Sequence, residues 1–216
     1  MGQQALVLRW SFENDKLLKT NTVSFNLPAF ESADGFRVCP GAGWCSLLCY
    51  ARQGRIIIGD AARNREINLA IVRTSLPLFE RLAVLDLERI ENDSIRLHDS
   101  GDFFNQEYLD TWFCIIRRFP QKAFYCYSKS LHLDWSRRPA NFERSQSAGG
   151  KFDALIDYTQ SHTRIFASHA DRRAAGYVNG NTNDRPAQRG DLKIGLVYHG
   201  TRDLTPKLIQ IVRRQA

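Results

Sequence analysis

Three of the five cysteines in this chain lie within one short segment, VCPGAGWCSLLCYARQGR. Cys39, Cys45 and Cys49 follow the spacing C-x5-C-x3-C. Thiolates are soft ligands that suit iron–sulfur clusters and zinc. Three thiols on one glycine-containing loop can hold one face of a cubic cluster and leave one iron open. We therefore predict an iron–sulfur cluster of the 4Fe–4S type at these cysteines.

Two alternatives stay open for the same segment. One is a zinc site completed by a histidine such as His98, although zinc sites more often use C-x2-C pairs. The other is no metal at all, because unpaired cysteines are commonly small core residues. Cys114 and Cys126 each stand alone in an apolar stretch, and we predict that both are core thiols.

Strand and helix patterns alternate along the chain, which is typical of an α/β protein with a mainly parallel sheet. We predict one domain over residues 1–216, either a partial (β/α) barrel or an open, mainly parallel sheet with flanking helices. The helical pattern of Asp60–Val84 contains Pro77, which should start a new helix or kink this one. Two polar stretches, Ser136–Asp153 and Asn179–Asp191, are predicted to be loops. The predicted strands are NTVSFNLPAF, SIRLHDSGDFF, KAFYCYSKS, TRIFASHA and LKIGLVYHGT.

Each predicted strand runs into polar residues that could do chemistry. Because parallel strands bring their carboxyl ends to one edge, these residues should converge there. We predict that the ones facing a substrate are His98, Asp99, Lys129 and His199. Histidine beside carboxylates can relay a proton, and lysine can hold a carboxylate or phosphate. A purely structural alternative is that Asp102 or Asn105 caps the following helix.

The motifs together resemble the gene product eighty-eight family of phages and mobile elements. The stretches that carry the resemblance run in the family's order from Lys19 to about Thr201. The resemblance implies an α/β fold and a metal site, but it implies no substrate. The five stretches are KTNTVSFNLPAF, CPGAGWCSLLCYARQGR, IRLHDSGDFFNQEYLDTW, FYCYSKS and RIFASHA…GLVYHGT.

A looser similarity is to radical S-adenosylmethionine enzymes, which place three cysteines after the first strand of a partial barrel. In those enzymes an aromatic residue stands beside the last cysteine, as Tyr50 does here. Their Gly-Gly-Glu-like motif, which grips the cofactor amine, corresponds in place to Ser100-Gly101-Asp102. Their cysteine spacing is C-x3-C-x2-C, so this chain differs. The similarity implies S-adenosylmethionine as a cofactor, bound by Asn26, Tyr50, Arg52, Ser100, Gly101 and Asp102.

The charge and the N-terminus limit the partners and the compartment. The chain has a net charge of +7 and a pI of about 9.3, which permits contact with nucleic acid or an acidic partner. No stretch has the roughly 18 apolar residues of a membrane span, and the start does not match an export signal. We therefore expect no membrane contact, a cytoplasmic location and reduced thiols.

Three functions are consistent with these features. The first is an iron–sulfur protein. One form of this hypothesis is a radical S-adenosylmethionine-like enzyme that acts on an unknown small-molecule or macromolecular substrate. The second is a non-catalytic inhibitory or regulatory protein of a phage or plasmid, which binds a host or competitor protein. The third is a nucleic-acid-binding protein, whose affinity would fall steeply with salt.

Overall fold

Eight strands form one open, mostly parallel sheet in the computed structural model, which describes residues 6–12, 15–198 and 209–210. The strand order is β1-β2-β3-β4-β5-β6-β8-β7, so six consecutive strands lie side by side in chain order. Only the pairing of β1 with β2 is antiparallel within this sheet of described residues. The predicted fold class is thereby confirmed, as an open sheet. The strands are β1 (Trp10–Ser11), β2 (Thr22–Phe25), β3 (Ser94–Leu97), β4 (Ala123–Ser128), β5 (Phe142–Ser147), β6 (His162–Phe166), β7 (Val178–Asn179) and β8 (Lys193–Val197).

Helices connect the parallel strands. The predicted break at Pro77 separates two helices, because Ser75 adopts an extended conformation and its hydroxyl accepts a hydrogen bond from the Leu78 amide at 3.3 Å. Pro77 then lies in the first turn, where its missing N–H costs nothing. The helices are α1 (Asp15–Leu18), α2 (Cys45–Leu48), α3 (Gly59–Thr74), α4 (Leu76–Arg89), α5 (Gln106–Arg117), α6 (His169–Ala174) and α7 (Arg185–Gln188).

An aromatic core fills the space between one face of the sheet and helices α4 and α5. Trp112 on α5 is fully buried, and its ring centroid lies 5.3 Å from both Phe25 on β2 and Phe79 on α4. Side chains alternate across the sheet, so Ile95 and Leu97 on β3 point into this core. Arg96, which lies between them, points to the opposite face.

Strand β5 lies inside Ser136–Asp153, which we predicted to be a loop, so that prediction was wrong. Its sequence FERSQS is too polar to show the apolar run of a buried strand. Phe142 enters the aromatic core, whereas Ser145 is buried beside Thr163 and their hydroxyls share a hydrogen bond of 2.5 Å. Buried polar side chains need such partners, and the neighbouring strand β6 provides them.

The second predicted loop, Asn179–Asp191, also contains regular structure. We call residues 180–191 the strap. It carries α7 and crosses the sheet face opposite the aromatic core, where its Asp184 bonds to Arg96 and Tyr125. Those residues alternate with the core residues Ile95 and Phe124. The turn signals located the segment correctly, but they did not show that it packs on the sheet.

No helix among the described residues is long and apolar enough to cross a membrane. The cytoplasmic location stays a prediction. The candidate residue His199 lies outside the described residues.

Replacing Trp112 with alanine should destabilise the protein by about 3–5 kcal/mol, because it leaves a cavity among packed aromatic rings. Urea unfolding followed by circular dichroism measures this free energy. Leu85→Ala on the neighbouring helix α4 is the matched control, since Leu85 is exposed and its loss should cost no more than about 0.5 kcal/mol. Equal costs for the two variants would contradict the assigned core.

Candidate functional site

The carboxyl ends of the parallel strands form a rim, as the sequence predicted. The end of β2 meets the turn after β3 through three hydrogen bonds. The Leu27 amide donates to the Ser100 carbonyl at 3.1 Å, and the Ser100 hydroxyl donates to the Leu27 carbonyl at 2.7 Å. The Asp99 amide donates to the side chain of Asn26 at 2.8 Å. The side chains of Asn26 and Ser100 therefore hold the end of β2 against the turn after β3.

Asp102 joins the turn after β3 to the end of β4. Its carboxylate accepts hydrogen bonds from the Ser128 hydroxyl at 2.7 Å and from the amides of Lys129 and Phe103 at 2.8 Å each. Burial raises the pKa of this carboxyl, and the three hydrogen bonds oppose that shift. Asn105, rather than Asp102, caps α5 by accepting from the Tyr108 amide.

Gly101 allows the turns after β2 and β3 to approach closely. Its φ is +85°, a conformation that side chains rarely adopt. A Cβ at this position would lie 2.7 Å from the Cβ of Leu27. The need for glycine here is explained by contact within the chain.

His98 points into the aromatic core and not toward the open rim. It is 3% exposed, packs against Phe103, and its Nε2 shares a hydrogen bond of 2.9 Å with the Tyr108 hydroxyl. Burial lowers its pKa to about 3, so the ring is neutral at ordinary pH. The ring that we predicted at the rim therefore lies among core side chains in the structure.

The segment Val38–Cys49, which we call the thiol loop, rests on the ends of β4 and β5. The Cys45 amide donates to the Gly149 carbonyl at 3.1 Å, and the Lys151 amide donates to the Gly41 carbonyl at 2.8 Å. Ala42 and Gly150 form an antiparallel bridge. These contacts hold the loop against the strand ends through its backbone.

The glycines of CPGAGWC are required by this contact. A Cβ on Gly41 would lie 2.3 Å from the Lys129 carbonyl oxygen, and one on Gly43 would lie 2.9 Å from the Gly149 carbonyl oxygen. Both distances are too short for any side chain. The sequence therefore places glycine where loop and strand ends touch backbone to backbone.

All three cysteines of the loop are free, and each residue is half-buried. Burial raises the pKa of Cys39 and of Cys49, and Cys45 raises both further by its charge. The charge of Cys45 therefore affects the pKa of both other thiols, as expected for three thiols that lie near one another. The Phe30 amide also donates to the Cys39 Sγ at 3.2 Å.

The arrangement does not match a site for a single ion. Within residues 6–12, 15–198 and 209–210, no three side chains of His, Cys, Asp or Glu are grouped to hold one metal ion. A cluster differs from a single ion because each thiolate binds a different iron. The donors of a cluster site therefore stand farther apart than the ligands of one zinc ion.

Two cations and one phenol surround the thiol loop. The Lys129 ammonium donates to the carbonyls of Ser147 and Ala148 at the end of β5. The Arg52 guanidinium donates to the Ser46 carbonyl at 3.1 Å, and its charge, like that of Lys129, lowers the pKa of Cys49 against the larger effect of burial. The Tyr50 hydroxyl donates to the Asp99 carbonyl.

The sequence analysis missed Asp153, which fixes the turn beneath the thiol loop. Its two carboxylate oxygens accept hydrogen bonds from the amides of Gly149 and Gly150, each at 2.8 Å. The polar stretch around GGKFD indicated a turn, but nothing in it showed that Asp153 holds the glycine amides. The two core-thiol predictions divide: Cys126 is buried in the core as predicted, whereas Cys114 is exposed on α5 and that prediction was wrong.

A second cluster of charges lies on the strap side of the sheet. Asp184 is fully buried and bonds to Arg96 on β3, Lys16 on α1, and the phenols of Tyr125 and Tyr127 on β4. Burial works against ionisation of Asp184, but the charges of Arg96 and Lys16 outweigh it and lower its pKa. No pattern in NDRPAQ indicated this role.

The model of a protein family described as Gene product 88 matches residues 6–208. No curated protein and no solved structure matched the chain significantly.

Gly41→Ala should displace the thiol loop from the rim, because the new methyl group meets the Lys129 carbonyl. We expect a loss of about 1–3 kcal/mol in stability and faster labelling of the loop thiols by a thiol reagent. Gly35→Asn is the control, since nothing lies within 4 Å of its Cβ position and asparagine tolerates positive φ. Unchanged labelling in Gly41→Ala would contradict the backbone contact.

Asp184→Asn should cost about 3–5 kcal/mol at neutral pH, because it leaves the buried guanidinium of Arg96 without a counter-charge. The pKa of Asp184 is lowered in the folded state. The stability that ionised Asp184 contributes is therefore fully present above its pKa in the unfolded chain, and it is lost as the pH falls through its pKa in the folded protein. The difference between wild type and variant should therefore shrink below about pH 4. Urea unfolding from pH 7 to pH 3 measures it. Asp191→Asn, at a partly exposed pair with Arg189, is the control, with a cost of about 0–1 kcal/mol.

Proposed function

The chain belongs to the Gene product 88 family of phages, and we propose that it is an iron–sulfur protein whose cluster is bound by Cys39, Cys45 and Cys49. One observation carries the proposal. Three free cysteines lie close enough for their charges to interact, on a loop that backbone hydrogen bonds hold against the ends of β4 and β5. Cysteines that served only to fill space would not need such an anchored loop around them.

The surroundings of the thiols suit a cluster. Three thiolates add negative charge, which the nearby cations Lys129 and Arg52 offset. The N–H···S bond from Phe30 to Cys39 is of the kind that tunes cluster potentials. Binding of iron would also release the thiol protons that burial now favours. A bound cluster would supply one-electron chemistry at this rim.

The finer proposal of S-adenosylmethionine chemistry has positional support. The turn Ser100–Asp102 follows β3, which lies beside the strand that leads into the thiol loop. The side chains of Ser100 and Asp102 already bond within the chain, so backbone groups of this turn would have to receive the cofactor amine. Lys129 and Asp99 also lie at this rim. S-adenosylmethionine chemistry of this kind requires the cluster, so the presence of the cluster is tested first.

A binding protein without a cluster is the second candidate, and exposed apolar side chains near the loop favour it. Leu47, Ile57 and Ile58 are 50%, 53% and 63% exposed. Such side chains suit a protein partner better than nucleic acid, because nucleic-acid interfaces are more polar and strongly charged. On this alternative the thiol loop is structural, and the partner is a host or competitor protein.

The cluster is tested by iron and sulfide analysis of protein purified and reconstituted without oxygen. Wild type should contain about four iron atoms per chain and absorb visible light through thiolate-to-iron charge transfer. Cys39→Ser, Cys45→Ser and Cys49→Ser should each lose most of the iron and the colour. Each substitution removes one of only three protein ligands.

Cys114→Ser is the matched control, because Cys114 is the exposed thiol on α5 and its loss should change neither iron nor colour. Circular dichroism establishes that each variant is folded. A folded wild type that stays colourless and iron-free after reconstitution would overturn the cluster and leave the binding protein as the function. Equal iron loss in Cys114→Ser would show that the iron is bound nonspecifically.

A further inference from the structure

We propose that Lys16, Arg96, Tyr125 and Tyr127 form a carboxylate-binding site on the sheet face. The strap occupies this site with its own Asp184, and a carboxylate-bearing ligand occupies it when the strap lifts. The site uses no residue of the thiol loop, although Tyr50, which follows that loop, is close enough to interact with Arg96 and Asp184. The proposal does not depend on a cluster.

The donors are arranged around the two oxygens of one carboxylate. Oδ1 of Asp184 lies 2.6 Å from the Lys16 ammonium and 3.3 Å from the Tyr127 hydroxyl. Oδ2 lies 2.8 Å from an Arg96 nitrogen and 2.9 Å from the Tyr125 hydroxyl. Each oxygen thus receives one cation and one phenol, which is a complete set of donors for a planar carboxylate.

The charges in this site require an anion. Two cations face one carboxylate, and the side chains of Arg96 and Asp184 are 9% and 0% exposed. The Nε of Arg96 is buried without a hydrogen-bond partner. Without the carboxylate, the site would hold the buried charge of Arg96, which has a large desolvation cost, beside the partly exposed ammonium of Lys16. The same donors would therefore suit a carboxylate from Asp184 or one from another molecule.

The strap is held mainly by polar contacts. The Gln188 side chain donates to the hydroxyls of Thr22 and Ser94 at 2.9 and 2.8 Å. The apolar contact is small, since Ala187 packs against Tyr125 and Ile194 in a cluster of three buried residues. Polar contacts can be exchanged for water when a segment opens, whereas a large apolar face resists opening. Opening would break these bonds and the two bonds between the Asn181 side chain and the Val197 backbone, and a bound carboxylate would offset part of that cost.

The test uses Asp184→Ala and a series of carboxylates of increasing size, at constant ionic strength set with chloride. Formate and acetate fit the volume that the Asp184 side chain vacates. Succinate and glutamate fit only if the strap moves aside. We expect all four to raise the melting temperature of the variant saturably, by about 5 °C or more at roughly 100 times Kd.

A second measurement follows the strap itself. Arg189 is exposed on the strap, and trypsin cleavage between Arg189 and Gly190 reports strap opening. In Asp184→Ala, succinate and glutamate should accelerate this cleavage, whereas formate should not. Adding Tyr127→Phe to the variant removes one donor and should weaken acetate binding about fivefold.

Wild type and Asp191→Ala are the controls, because both keep Asp184 in the site and should gain no saturable stabilisation from formate or acetate. Equal carboxylate dependence in all three proteins would overturn the proposal. So would an Asp184→Ala protein that no carboxylate stabilises or refolds. Rescue by formate and acetate alone, without succinate or glutamate, would show a closed structural ion pair and would also overturn it.

Discussion

The buried carboxylate of Asp102 fixes the rim on which the other features depend. It joins the turn after β3 to the backbone of Lys129 at the end of β4. The thiol loop then rests on that same backbone, because Gly41 approaches the Lys129 carbonyl too closely for any side chain. A buried carboxylate is costly without partners, and one of the three hydrogen bonds that satisfy Asp102 holds the Lys129 backbone on which the loop rests.

Strand β3 serves both faces and the rim of the sheet. Ile95 and Leu97 enter the aromatic core, while Arg96 between them reaches the strap on the other face. Beyond the end of the strand, the turn Asp99–Asp102 braces its neighbours. This division follows from the pleat, which sends successive side chains to opposite faces. A shift of one residue in β3 would exchange the core and the charged face.

The two proposed sites occupy different parts of the same sheet. The thiol loop lies at the carboxyl ends of the strands, where a parallel sheet places ligands. The carboxylate site lies across the middle of β3 and β4, beneath the strap. An iron–sulfur protein that also recognises a carboxylate would combine redox chemistry with selection of a ligand. A binding protein would use the second site alone, so each proposal can stand if the other fails.

The sequence by itself determined the α/β class, the rim, and the position of the thiol loop. These follow from local signals: apolar runs, the turn after each strand, and the cysteine spacing. Tertiary structure alone decided that His98 enters the core, that polar β5 is a strand, and that Asp184 meets cations distant in the chain. Local periodicity cannot show such pairings, because a buried polar residue is stabilised by partners that only the folded chain brings together.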